Sequence, residues 1–215
     1  MIRRLASLAL ASLALAFAGA AFAQEGAPDA LVRKSIDEVL VIIKADKDLQ
    51  NGNPRKLHAM IEEKVLPHFD FARMTRLAVG RNWAQASPEQ KEALTREFQT
   101  LLVRTYSTSI SQYRNQTIDV KPAKLAAGDQ ETVVKTVVNQ PGGQPIPIDY
   151  GMERTDKGWK VYDVVVDGVS LVTTYRGSFN DQVRKSGVDG LVKTLAERNR
   201  TSEAPQAPVK VDLKK

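Results

Sequence analysis

Cysteine is absent from all 215 residues. Without a thiol the chain can form no disulfide, no thiolate metal site and no cysteine-based covalent intermediate, so its stability must come from a packed apolar interior. Histidine is nearly absent as well. His58 and His68 are the only two, and neither sits in an HExxH or HxH spacing that would hold zinc. Aromatic residues make up 6% of the chain, and lysine and arginine are scattered despite a formal net charge of +6. No aromatic-studded basic patch of the kind used to grip nucleic acid results. A P-loop, a GxGxxG turn and a GxSxG elbow are all missing, which removes the usual phosphate cradles and the hydrolase nucleophile. After the first residues no apolar run approaches the roughly 20 residues needed to span a bilayer.

The N-terminus has its own logic. Arg3 and Arg4 precede an apolar segment from Leu5 to Ala18, and Ala21-Phe22-Ala23 supplies a small-x-small cleavage pattern. These features predict a secretory signal peptide over residues 1–23, cleaved before Gln24, and a protein exported to a periplasm. Removing that segment takes away two arginines and no acid, so the exported chain is only mildly basic. Residues 24–200 are predicted to form one domain. Residues 201–215, rich in Pro, Lys and Ala, are predicted to be a disordered tail.

Punctuation divides the domain in two. In the first half, Leu31, Ser35, Val39, Ile42 and Ile43 mark one helical face, and Asn53-Pro54 opens a second helix carrying Leu57, Met60, Ile61 and Val65. Ser87-Pro88-Glu89-Gln90 reads as a capping box with proline at the first helical position. It opens a long helix on which Leu94, Phe98, Leu101, Leu102, Tyr106, Ile110 and Tyr113 recur at spacings of three and four. From Thr117 the period becomes two. Four strands follow, separated by turns at Gly128-Asp129, Pro141-Gly142-Gly143 and Asp156-Lys157-Gly158.

In the third strand Ile146, Ile148, Tyr150 and Met152 share one side. In the fourth, Val164 and Val166 oppose Val165, which suggests cover on both faces. After Asp167-Gly168 the helical period returns with Val172, Tyr175, Phe179 and Val183, and Gly187 to Asp189 breaks the chain into a last short helix through Leu191 and Leu195. The predicted architecture is α+β: helices wrapped around a curved four-stranded antiparallel sheet, enclosing an apolar pocket. Periodicity alone does not say whether that interior is filled by side chains or by a ligand, because a cavity wall and a packed core follow the same pattern.

Polar residues offer little chemistry. Asp163 and Asp167 are the best candidate acids, since a carboxylate on a valine-rich strand would have its pKa raised. By strand parity Asp163 shares the face of Val161 and Val165, where pairing with Arg154 or capping a turn is the simpler role; Asp167 before Gly168 reads as a turn residue.

Three stretches carry a resemblance: "HFDFARMTRLAVGRNWAQASPEQKEALTREFQTLLVRTYSTSI", "GWKVYDVVVDGVSLVTTYRGSF" and "GVDGLVKTL". The most specific is Trp159 to Phe179, with Asp167-Gly168-Val169-Ser170-Leu171-Val172 at its centre. In this order, across nearly the whole exported chain, they resemble the MlaC (toluene-tolerance) family of periplasmic phospholipid carriers. The resemblance implies a deep apolar pocket for acyl chains with the head group near solvent, no catalysis, no metal, and no cofactor beyond the bound phospholipid. It also implies a carrier that shuttles glycerophospholipid between an outer-membrane lipoprotein complex and an inner-membrane ABC transporter with an MCE-domain subunit, maintaining outer-membrane lipid asymmetry. Apart from the resemblance, the protein is expected to be a monomer.

The residues expected to touch the tails are Leu101, Tyr106, Ile110, Ile148, Tyr150, Met152, Val164, Val169, Val172 and Tyr175. For each of them plain core is an equal alternative. Arg81, Arg104 and Arg176 are candidates to approach a phosphate, against solvated surface arginines as the simpler reading. Two rival classes stay open. A small isomerase-like enzyme would use Asp163 or Tyr150 in the cavity. A protein-binding adaptor or chaperone would have a filled core and an exposed apolar patch.

Overall fold

The computed structural model describes residues 26–201. The expected signal peptide and all of the expected tail except Thr201 lie outside them. Among the described residues no helix is long and apolar enough to cross a membrane.

Every α-helix except the first starts where a side chain accepts from its unpaired N–H groups. Helix α1 (Pro28–Ala45) begins on proline, and Asp46 caps the short α2 (Lys47–Gln50). Asn53 Oδ1 accepts from the amides of Arg55 and Lys56 to start α3 (Pro54–Lys64). A 3₁₀ turn (Leu66–His68) leads to α4 (Phe71–Val79), capped by Asp70 and ended by Gly80 at φ 63°. A second 3₁₀ segment (Gly80–Gln85) precedes α5 (Pro88–Ser111), whose capping box is complete: Gln90 N–H donates to Ser87 Oγ at 3.2 Å and Ser87 N–H to Gln90 Oε1 at 2.9 Å. Helix α6 (Leu171–Arg200) is broken at Ser186 and Gly187, the latter at φ 69°, where the glycine period predicted a break.

Strands β1 (Thr117–Val120), β2 (Glu131–Asn139), β3 (Ile146–Thr155) and β4 (Gly158–Val166) form an antiparallel meander. A fifth strand, β5 (Val169–Ser170), was not expected; the Asp167-Gly168 turn, with φ of 50° and 78°, folds these two residues back onto Val165 and Val166. Positive φ at both central positions is the geometry a two-residue hairpin favours. The expected cover on both faces of β4 is also corrected. Val165 is only half-buried and Val133, on the same outer face of β2, is 48% exposed.

A bulge decides which residues face inward. Gly151 pairs with Asp163 but Met152 with Val161, so Tyr162 has no partner in the ladder. The parity reading of Asp163 therefore holds for Val165 but not for Val161. Val161 and Val164, three apart, both face the interior, and Asp163 faces away from it. Glycine permits this, because a Cβ at Gly151 would come within 3.2 Å of the Tyr162 ring. Over that ring lies the Arg73 guanidinium of α4, 3.7 Å from its centroid, paired with Glu153 of β3 and, at 2.7 Å, with Glu131 of β2. This clasp fixes α4 to the sheet.

The closed core lies between α4, α5 and α6. Leu94, Phe98, Val172 and Val79 are fully buried there, and the Phe98 ring meets Tyr175 and Phe179 edge to face at 5.2 and 5.3 Å.

Candidate functional site: an apolar cavity under the sheet

Between the concave face of the sheet and the helices lies a second apolar region that side chains do not fill. It is a cavity of about 340 Å³, within the range of about 300–1,000 Å³ typical of small-molecule pockets. The sheet wall is short and β-branched: Ile118, Val138, Ile148, Val161, Val164 and Val166, with Tyr150 and Met152. Opposite stand Leu31, Val32, Ile36, Val39 and Leu40 of α1, Ile61 of α3, Leu66, Phe69, Phe71 and Met74 around the 3₁₀ turn and α4, and Leu102, Val103, Tyr106, Ile110 and Tyr113 of α5. Ser35, Ser107 and Ser109 add hydroxyls. Among the described residues, none that lines it is Asp, Glu, Lys or Arg. An interior without a fixed charge accepts hydrocarbon and excludes ions, because a charge taken from water without a partner is costly.

Six of the expected residues face this cavity: Tyr106, Ile110, Ile148, Tyr150, Met152 and Val164. The other four do not. Leu101, Val172 and Tyr175 belong to the closed helical core. Helix α5 is long enough to serve both regions: Leu101 is buried in the closed core, Leu102 belongs to that core and also borders the cavity, and Val103 lines the cavity. Val169 sits just after the β4–β5 turn and is 47% exposed. Sequence reasoning missed the α1 wall and the segment from Leu66 to Met74. Helix α1 carries a wide stripe at the right spacing, but nothing local says that it faces open space.

The polar groups at the margin are committed to structure. Asp163 accepts from Ser170 Oγ at 2.6 Å and from the amide of Val172 at 3.3 Å, while Ser170 Oγ itself accepts from the amide of Thr173. The carboxylate thus caps α6, where the helix dipole favours negative charge. Arg176 Nε donates to the carbonyl of Leu77 in the last turn of α4, and Arg104 donates to the carbonyls of Asn199 and Thr201 at the end of α6. Neither these arginines nor Arg81 lines the cavity. Burial pushes the Tyr150 phenol up to about 12, opposed in part by a hydrogen bond with Thr136, so it stays protonated and neutral at physiological pH. Tyr175 is also raised by burial, with hydrogen bonds to Thr105 and Tyr106 opposing, which links the cavity wall to the closed core. His68, half-buried on the wall, is lowered first by burial and then by the charge of Lys160. Among the described residues no group of three or more His, Cys, Asp or Glu is placed to hold a metal ion.

Known proteins resemble this chain in sequence and in fold. Residues 33–197 match the family model described as MlaC protein. A solved structure of a phospholipid-binding protein from Ralstonia solanacearum, in complex with a phospholipid, is 42% identical, covers 80% of this chain and 97% of its own, and superposes with a TM-score of 0.75. The toluene tolerance protein ttg2D of Pseudomonas putida is 26% identical over 191 residues, 85% of this chain and 88% of its own. The intermembrane phospholipid transport system binding protein MlaC of Haemophilus influenzae is 23% identical over 176 residues, 80% of this chain and 82% of its own. With a family match over most of its length and a solved relative of the same fold, this chain belongs to the MlaC family.

Proposed function

We propose that this protein is a periplasmic phospholipid-binding transport protein, working from residue 24 onward as a single-domain monomer. The observation that carries the reading is the cavity: about 340 Å³, walled on opposite sides by the sheet and the helices, with no fixed charge in its lining. Each methylene withdrawn from water contributes about 0.8 kcal/mol, so a ~16-carbon tail represents on the order of 12 kcal/mol of apolar transfer. A carrier that hides such tails needs walls of this kind and no reacting groups. The relative solved with a phospholipid bound supports that ligand class, and the relative named for intermembrane transport supports traffic between membranes.

The finer reading is a shuttle between an outer-membrane lipoprotein complex and an inner-membrane ABC transporter with an MCE-domain subunit, serving outer-membrane lipid asymmetry. It is a carrier's task, with no bond made or broken. Native mass spectrometry of the purified protein, followed by denaturing extraction, tests the reading. A released adduct of phospholipid mass, absent from Val164→Glu, is the expected result. A protein that carries no lipid and takes none from phosphatidylglycerol vesicles overturns it and favours the protein-binding adaptor.

A further inference from the structure

The cavity is electrically silent except at one point. Among the described residues on its wall, His68 is the only imidazole, and burial followed by the charge of Lys160 holds its pKa below the ordinary value. It ends the 3₁₀ turn Leu66–His68, and the charges acting on it come from two other elements: Lys34 and Glu38 of α1 and Lys160 of β4. Lys160 Nζ donates to the carbonyl of Pro67, the residue before His68, which places its ammonium beside the imidazole and leaves two of its three protons free to donate elsewhere. Lys34 is adjacent in sequence to the wall residue Ser35, yet its side chain is 75% exposed. Its counter-ion Glu38 stands 3.8 Å away, a loose pair. Apolar wall and solvent therefore meet at this point, where the charges of Lys34, Lys160 and Glu38 all reach the imidazole; Glu38 also acts on Lys64, and Lys160 lies across the ladder from Glu153.

A lipid with its tails against the valine wall has to leave its phosphate where the apolar lining ends. We propose that Lys34, His68 and Lys160 form a seat for an anionic phosphate at the edge of the cavity, the phosphodiester of a bound lipid. The inference rests on the carrier reading above and deepens it. Without an anion, burial and both lysines oppose a charge on His68, and Glu38 alone favours one. A phosphate in the seat reverses that balance. Binding then takes up a proton, and selection for phosphate-bearing lipid strengthens as pH falls through the imidazole range.

The test uses the delipidated protein and two lipids with the same acyl chains, dioleoylphosphatidylglycerol and dioleoylglycerol, each displacing a fluorescent acyl probe. The native protein should prefer the phospholipid by about tenfold, the size of one charge-assisted hydrogen bond. Lys34→Glu, at a residue outside the cavity lining, should shrink that preference to within about twofold while leaving dioleoylglycerol affinity unchanged, and His68→Gln should shrink the preference as well. Lys34 is exposed, so its variant folds normally and thermal unfolding checks this. An unchanged preference in both variants overturns the seat, and so does an equal loss for both lipids, which would make these residues plain wall. Native protein that binds neither lipid overturns the carrier reading itself.

Two further readouts separate the sources of phosphate and the role of the histidine. Phosphatidylglycerol should move the His68 imidazole resonance where inorganic phosphate at the same concentration does not; a shift with inorganic phosphate assigns the site to free anions instead. The preference should grow from pH 8 to pH 6 in the native protein and stay flat in His68→Gln. A flat profile in the native protein removes His68 from the seat.

Discussion

Between α5 and α6, Leu94, Phe98 and Val172 are fully buried and three aromatic rings interlock, whereas between α5 and the sheet, Ile110, Tyr150 and Val164 are only partly buried around an open cavity. Both regions are apolar and share one helix. What separates them is reach. Helices pack about 8–10 Å apart and their Phe, Leu and Tyr side chains interdigitate across that gap. The curved sheet presents mainly valine and isoleucine: Met152 and Val161 pack with Val32 of α1, and Ile148 and Val164 with Tyr106 of α5, but these short side chains leave the space between those contacts unfilled. The lesson is that hydrophobicity marks an interior, while side-chain length and backbone curvature decide whether it is filled.

The strongest way to break this contrast is Phe98→Ala. It opens a void in the closed core and should cost about 3–5 kcal/mol in chemical denaturation, while the folded fraction keeps its lipid. Val164→Glu attacks the other region. Lipid copurification should vanish in native mass spectrometry, with a smaller stability loss of about 1–3 kcal/mol, because the carboxylate faces open space instead of packed atoms.

Truncating the cavity wall by Ile148→Ala should cost only about 1 kcal/mol, against the 2–5 expected of a filled core, since much of that side chain already borders the cavity. A cost of core size would show that the wall is packed. Asp163→Ala removes a cap of α6 and should cost about 1 kcal/mol by thermal unfolding, with lipid content unchanged. Loss of lipid at constant stability would return Asp163 to a functional role.

The smallest effect is the pH dependence of His68. Its folded pKa lies below the ordinary imidazole value, chiefly through burial. The unfolded chain therefore binds more protons near neutrality. The stability contributed by neutral His68 is complete above about pH 6.5 and declines as pH falls through the lower folded value. Comparing the thermal midpoints of native protein and His68→Gln across pH 5–8 should show this slope in the native protein alone.

Much of the frame was legible in advance. Ser87-Pro88-Glu89-Gln90 announced α5, Asn53-Pro54 announced α3, and the Gly-containing turns separated β1 to β4, because caps and turns are local chemistry. Helix α4 went unrecognised although Asp70 caps it and Gly80 ends it, since only nine residues lie between. Among cavity residues, Ile148, Tyr150, Met152 and Val164 follow from alternation along the strands. Phe69 and Leu66 do not, because they leave regular elements, and Leu101, Val172 and Tyr175 were misplaced because a helix can bury two faces against different partners.

The sequence by itself determined where elements start and stop, which of their faces are apolar, and that no thiol or familiar nucleophile motif is available. Those are matters of composition and local hydrogen bonding. The tertiary structure alone decided that one apolar region closes and the other stays open. The bulge at Tyr162 sets which residues of β4 face inward, and strand curvature sets their distance from α1 and α5. Neither can be read from a periodicity that is the same for a core and for a cavity wall.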